Sequence, residues 1–464
     1  MTILITGGLI YQPDGLIQSD ILIKDGITVA IGNSMKTDSP ATVIDATNKV
    51  VLPAGIDPHV HLHLPTPAGY SSDDFISGSK AALSGGSTMI IDFVTPTRGE
   101  SLIQALEKRL EEASASMVDY SFHISPVEWT ENTAAEIERC VQLGFPSFKV
   151  YLAYRQTVGV DWDTFRKIAR AVANAKGILA VHAEMGDEID RLRDNFAANG
   201  KTTPLYHLLS RPVETEYNAV KQAIEIAVEE RCPIYFVHIS TYESLFEIAK
   251  AQKNNAVVFA ETCPHYLIFD DTVYQQPSEN ALPYVCSPPI RSQHQRQLLW
   301  QMLSEGKIQT IGTDHCPFSL QQKKVGLHDF RKIPNGVGGI EHRLNLLFHF
   351  AVLTKKIDII SFVKLITTYA SVIFGIPENY SKIAIGNSPN LIIMNPKHEK
   401  PISASTHISN SDIDIYENIC TDCCVEYVIK DGKVVVEHGR LISNPKGRLI
   451  PRTINPYLFK ELCV

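Results

Sequence analysis

Four histidines, one lysine and one aspartate carry the chemistry legible in this chain. His59 and His61 stand two apart in GIDPHVH. On a strand, residues two apart point to the same face, so both imidazoles can hold one metal ion, as in open catalytic zinc sites. In a loop they would be two surface histidines; the GIDP turn after the apolar VVLPA run favours the metal reading. Lys149 lies in the otherwise apolar FPSFKVYLA. A buried lysine is costly unless it is paired or loses its charge. By itself it reads best as a side chain snorkelling from a strand end. Among other metal ligands a third reading opens: a desolvated, neutral amine takes up carbon dioxide, and the carbamate's two oxygens bridge two ions. His182 in AVHAE and His238 in FVHIS each follow a β-run. Either alone would be a satisfied core histidine; at equivalent strand ends they read as ligands. Asp314 ends TIGTDH, where it either caps a helix or binds metal and shuttles a proton. Together the six describe two dications with a bridging hydroxide, an arrangement that generates a nucleophile near neutral pH by lowering bound-water pKa to about 7.

These residues are far apart in sequence, so an architecture must gather them. Eight β-rich runs alternate with helix-length segments: 54–61, 88–94, 119–125, 147–153, 178–184, 234–240, 257–263 and 308–315. SLIQALEKRLEEASA and YNAVKQAIEIAVEE show apolar residues at helical spacing. This is the βα pattern of a parallel (β/α)8 barrel, whose active sites lie at the C-terminal ends of the strands. All six residues stand where an apolar run stops. The flanks differ. Both termini are rich in short strands, and QSDILIKDGITVAIG resembles CVEYVIKDGKVVVEHG, with a hairpin turn at Asp431-Gly432. The predicted organisation is α/β: residues 1–52 as one part of a small β-sandwich, 53–385 as the barrel, and 386–464 as the remainder of the sandwich and a tail.

The chain has 464 residues and a net charge of −8, which argues against nucleic acid as a partner because phosphate binding wants a basic face. No signal, transit or membrane-spanning pattern is visible, so the expected location is cytoplasmic. Nine scattered cysteines do not suggest a disulfide framework. Cys420, Cys423 and Cys424 include a C-x-x-C, but a structural zinc would need a second ligand pair nearby.

The motifs together resemble the cyclic amidohydrolases of the dihydropyrimidinase and hydantoinase family. The matching stretches are GIDPHVH, DDFISGSKAALSGGSTMIIDFV, SFKVYLAY, VHAEMGD, RPVETE, VHIS, ETCPHYL, YVCSPPIR, TIGTDHCPF and KIPNGVGGIEHR. ISNSDIDIYE and DGKVVVEHG look like the family's tail. The resemblance implies two divalent metal ions, with zinc the expected metal. His59, His61 and Asp314 match the ligands of the more buried ion, His182 and His238 those of the second, and Lys149 the carboxylated lysine that bridges both. Tyr154 matches the tyrosine that hydrogen-bonds the substrate carbonyl and its oxyanion. Ser287 and Asn335 match positions whose backbone holds the ring amide. Asp314 also matches the acid/base that passes a proton to the leaving nitrogen. The implied reaction opens the ring amide of a small cyclic amide or imide, a 5,6-dihydropyrimidine or hydantoin, to an N-carbamoyl amino acid. The family's habit implies a homotetramer.

Three rival readings stand beside this one. Dihydroorotases commonly carry an arginine two residues past His-x-His, where this chain has His63; a neutral imidazole poorly replaces that cation. Allantoinases share text like ETCPHYL. Noncatalytic, tubulin-associated assembly proteins of this fold lack metal ligands, whereas all six positions are filled here. The loops HLHLPTPAGYSS and RQTVGVDWD, with His63, Thr66, Val158, Val160 and Trp162, are expected to line the pocket for the ring substituent.

Overall fold

Eight short runs, most of them rich in β-branched and aromatic residues, form the parallel strands of the barrel in a computed structural model that describes residues 1–37 and 40–462. They are β1 (Gly55–Asp57), β2 (Ser87–Val94), β3 (Asp119–Ile124), β4 (Ser147–Tyr151), β5 (Ile178–His182), β6 (Ile234–Phe236), β7 (Val258–Thr262) and β8 (Thr310–Ile311). Each pairs with its sequence neighbours, from β1 through to β8. Every residue of β2 is buried, because helices cover one face of the sheet and the barrel interior the other. The ring closes just beyond the first and last strands: Val60 bridges His315, and the His61 N–H donates to the His315 carbonyl at 2.9 Å. The segments that close the barrel are therefore the ones that carry His59, His61 and Asp314.

The helices between the strands follow their sequence signals. The one at Leu102–Ala113 starts where Ser101 accepts a hydrogen bond from the Ile103 N–H. It buries Leu102, Ala105, Leu106 and Ala113, one stripe at helical spacing, and turns Glu107, Lys108 and Glu111 outward. The second predicted helix forms at Val213–Glu229. Among the described residues, no helix is long and apolar enough to cross a membrane.

The two β-rich termini join as expected, but edge to edge, in one nine-stranded sheet. The junction pairs Val50–Pro53 antiparallel with Leu391–Asn395. One apolar cluster, including Ile3, Ile5, Ile21, Ile23, Ile393 and Ile429, draws on both ends of the chain. The look-alike segments are hairpins whose turns, Asp25-Gly26 and Asp431-Gly432, all have positive φ. The turns abut so closely that a Cβ on Gly432 would sit 2.5 Å from the Gly26 Cα, which leaves room only for glycine.

The C-terminal segment then leaves the sheet and runs beside the start of β3. The Tyr120 N–H donates to the Arg448 carbonyl and the Ile450 N–H to the Tyr120 carbonyl, both at 2.9 Å. Asp119, buried at the first position of β3, pairs with Lys430 of the hairpin and Arg448 of the tail, each at 2.9 Å. This is the face opposite the strand C-termini, where residues serve stability rather than chemistry. Of the three clustered cysteines, Cys423 and Cys424 are buried, and Cys423 donates to the Asn345 carbonyl. Cys463 lies outside the described residues.

Candidate active site

The six ligand-type residues meet at the C-terminal mouth of the barrel. Pro58 ends β1, and the chain beyond it carries His59 and His61, both buried. Asp57 holds this segment to the end of β8. It accepts from the Thr313 N–H at 3.1 Å, the Thr313 hydroxyl at 2.6 Å and the His59 N–H at 3.2 Å. His59 Nδ1 faces Glu261 Oε1 at 2.6 Å, which leaves His59 Nε2 free to point into the site. There Asp314 Oδ1 lies 3.1 Å from His59 Nε2 and 3.2 Å from His61 Nε2, and the two nitrogens are 3.2 Å apart. Three donor atoms thus converge on one point. Burial works against an imidazolium at His59, but Glu261 and Asp314 outweigh it and lift the group to about 9. This corner attracts positive charge, which a proton or a metal ion can supply. Burial would raise the Asp314 carboxyl, yet His59 and His61 hold it well below the usual carboxylate range.

A second pair lies alongside. His182, the last residue of β5, has Nδ1 3.0 Å from His238 Nε2. Its Nε2 faces Glu184 Oε2 at 2.7 Å, and Arg211 donates to the same oxygen at 2.7 Å. A histidine whose far nitrogen is held by a carboxylate presents its other nitrogen as a ligand, the usual arrangement around catalytic metals. Burial pushes the His182 and His238 imidazoliums down, so both rings are neutral and able to bind metal. The His59 and His238 rings stack with centroids 5.4 Å apart, so the two groups form one site.

Lys149 is placed inside β4 rather than at its end, and it is 0% exposed. Snorkelling is therefore ruled out. Among the described residues its Nζ has no hydrogen-bond partner, and it lies 5.2 Å from the Phe93 ring and 5.0 Å from the Tyr151 ring. Burial, against the pull of Asp314 and Glu261, brings it down to about 7. A substantial fraction of this amine is neutral at neutral pH, and its lone pair has no other use. Converging nitrogens, an orphaned buried amine and nearby carboxylates together suit a pair of metal ions.

One cavity of about 690 Å³ touches His61, Lys149, His182, His238 and Asp314, and also Tyr154, Ser287 and Asn335. Its size matches small-molecule sites. The Tyr154 ring lies 5.3 Å from that of His182 and 5.6 Å from the Arg211 guanidinium. Burial, opposed by Arg211, raises its phenol and keeps it a hydrogen-bond donor. Tyr154, His238 and Asp314 all have positive φ, at 59°, 41° and 51°. For residues with a Cβ this costs about 1–3 kcal/mol each, and it persists only where the surroundings impose it.

Of the loop residues expected to shape the pocket, Thr66 and Val158 line this cavity. His63, Val160 and Trp162 do not. His63 stacks on Tyr70 at 4.0 Å and faces a neighbouring cavity, because its positive φ of 49° turns the chain away. Val160 is buried in the core, and Trp162 opens a helix.

Sequence reasoning missed Glu261, Glu184, Arg211 and Asp57. Glu184 stands two after His182, the same-face spacing that drew attention to His59 and His61. Glu261 on β7 reaches both histidine groups. Its Oε1 accepts from the His238 N–H at 3.0 Å as well as facing His59, and its Oε2 accepts from the Tyr235 hydroxyl at 2.7 Å. A second His-His-Asp group, His342, His407 and Asp414, stands apart from this cavity. There His407 is bound at both nitrogens, to Asp414 at 3.1 Å and to the Ser411 carbonyl at 2.8 Å, as an imidazolium would be.

Comparison with known proteins agrees with this geometry. Residues 50–435 match the amidohydrolase family. The chain is 36% identical over 449 residues to a D-hydantoinase of Geobacillus stearothermophilus, covering 95% of each protein. It is 36% identical over 460 residues to a dihydropyrimidinase of Arabidopsis thaliana, covering 98% of this chain and 86% of that one. The crystal structure of a dihydropyrimidinase from Brevibacillus agri NCHU1002 superposes with a TM-score of 0.95 at 35% identity, covering 98% and 99% of the two chains. The chain therefore belongs to the amidohydrolase family, within its dihydropyrimidinase and D-hydantoinase group.

Proposed function

We propose that this protein hydrolyses a ring amide of 5,6-dihydropyrimidines or hydantoins, giving N-carbamoyl amino acids. The observation that carries the reading is the convergence of His59, His61, Lys149, His182, His238 and Asp314 at one mouth of the barrel, around a cavity that also holds Tyr154. In this reading His59, His61 and Asp314 would hold one ion and His182 and His238 the other, and Lys149, as a carbamate, would supply further oxygen ligands. When bound, two zinc ions supply a hydroxide near neutral pH and polarise the carbonyl under attack.

The chain's own groups do the rest. The raised phenol of Tyr154 donates a hydrogen bond to the oxygen that gains charge as the carbonyl carbon becomes tetrahedral. Asp314 takes up the proton of the attacking water and delivers it to the ring nitrogen as the C–N bond breaks. The backbone around Ser287 and Asn335 orients the ring amide from the cavity wall. Glu184 and Arg211 keep His182 in one tautomer, and Glu261 does the same for His59. The same reading includes a cytoplasmic homotetramer.

The test is ring opening of 5,6-dihydrouracil, hydantoin and allantoin with metal and bicarbonate supplied. Turnover of one of the first two is expected. Turnover of allantoin alone would move the protein to the allantoinases, and no turnover of any would sink the assignment. Filled ligand positions disfavour the noncatalytic reading, and about two metal ions per chain are expected.

A further inference from the structure

Lys323 is buried at 1% exposure in the short helix Leu320–Lys324, outside the set of metal ligands. Its Nζ donates to three carbonyls: Val285 at 2.8 Å, Pro334 at 2.9 Å and Gly336 at 2.8 Å. Burial lowers this amine to about 7, but only the charged form has three N–H donors for three carbonyls, so the geometry is that of the ammonium with every proton used. Among the described residues, no carboxylate lies within ion-pair distance of it. Val285 stands two before Ser287, and Pro334 and Gly336 flank Asn335. The three carbonyls therefore belong to the two loops that carry Ser287 and Asn335 on the cavity wall. The loops also meet directly, where the Gly336 N–H donates to the Val285 carbonyl at 3.0 Å.

The energetics separate two uses of such a lysine. A buried cation pays heavily for desolvation, and an apolar side chain of similar volume often stabilises a fold as well or better. What an apolar side chain cannot do is fix three carbonyls from two separate loops at hydrogen-bond length, with charge-assisted bonds stronger than neutral ones. We propose that Lys323 is a positioning residue that holds the Ser287 and Asn335 loops in register for the substrate's ring amide. It acts on binding through those loops and touches neither the metal ligands nor the reacting atoms. The inference rests on the proposed function for its substrate, but not for its geometry.

The variant is Lys323→Met, with metal content and melting temperature measured beside kinetics on the better of 5,6-dihydrouracil and hydantoin. KM is expected to rise about tenfold, the loss of one well-placed hydrogen bond, with kcat within about threefold and wild-type metal content. Lys323→Gln, which keeps part of the donor set, is expected to fall between the two. An unchanged KM, or a kcat loss at constant KM, overturns the proposal. Amide exchange on the wild-type chain tests the tether without turnover or a foldable variant. Peptides spanning residues 284–289 and 333–337 are expected to open as one unit, and independent opening overturns the tether. Absence of any ring-opening activity would remove the substrate reading while leaving that exchange result to stand or fall separately.

Discussion

Glu261 Oε1 lies 2.6 Å from His59 Nδ1, and through that contact a residue of β7 sets the orientation of a ring on the far side of the barrel seam. The same oxygen accepts from the His238 N–H, so one carboxylate braces both histidine groups. Glu261→Gln is expected to lower metal affinity about 10–100-fold, the usual loss when such a supporting carboxylate goes. Competition with a chelator of known affinity measures it. Undiminished affinity in a folded variant would show that Glu261 only packs.

Lys149 is buried, has no hydrogen-bond partner among the described residues, and is brought down to about 7 by its surroundings. Lys149→Ala is expected to lose most bound metal, with activity partly restored by short carboxylic acids that stand in for the carbamate. Metal analysis with and without added carboxylate decides it, and full metal content in the variant counts against a bridge.

Tyr154→Phe removes a donor from a half-buried position beside His182 while leaving the ligands intact. The expected outcome is a fall in kcat of about 10²–10³-fold with metal retained. Steady-state kinetics at full metal loading would remove Tyr154 from the mechanism if the rate did not change.

His407 holds the segment after the barrel together locally, through Asp414 and the Ser411 carbonyl. Burial opposes its charge, but those two partners outweigh it and raise the group from 6.5 to about 9. A raised folded value means that the proton binds the folded chain more tightly than the unfolded one. The contribution is thus fully present below pH 6.5, shrinks as pH rises from there, and is gone above about 9. His407→Gln should narrow its stability deficit against the wild type across that window. Denaturant midpoints at a series of pH values check this, and a deficit independent of pH refutes it.

Asp119 joins the barrel to the hairpin and tail through Lys430 and Arg448. Asp119→Asn leaves the buried Lys430 with only Asp431, 2.7 Å away. The expected loss is about 3 kcal/mol, the low end for breaking a buried pair, because one carboxylate remains. Lys430 and Arg448 outweigh burial and lower the Asp119 carboxyl below 3.8, so its contribution is complete at neutral pH and fades only in stronger acid. Chemical denaturation gives the number, and a loss within error of zero would mean the pair breaks even.

Local pattern was enough to find the barrel and the ligand-type residues. A strand buried on both faces must be apolar, so a histidine or lysine at its end stands out, and eight such runs alternating with helices leave few architectures. The Asp431-Gly432 turn was equally plain, because a tight hairpin needs positive φ at both positions. Other features had no local mark. Lys149 was ambiguous because a strand's two faces look alike in sequence, and which one faces the barrel interior depends on every other strand. Glu261 and Arg211 lie in ETCPHYL and RPVETE, motifs that carry the resemblance without saying what those two residues do, and Lys323 sits in an ordinary-looking stretch; the importance of all three lies in partners brought close by closure of the ring. His63 shows the converse: its place two residues past His61 made it a natural pocket residue, yet a backbone turn sends it elsewhere. Residue type and period are written along the chain, so the His59–His61 pair could be seen at once. Distances such as the 3.1 Å from His59 to Asp314 arise between strands that meet only when the barrel closes, and no spacing in sequence encodes them.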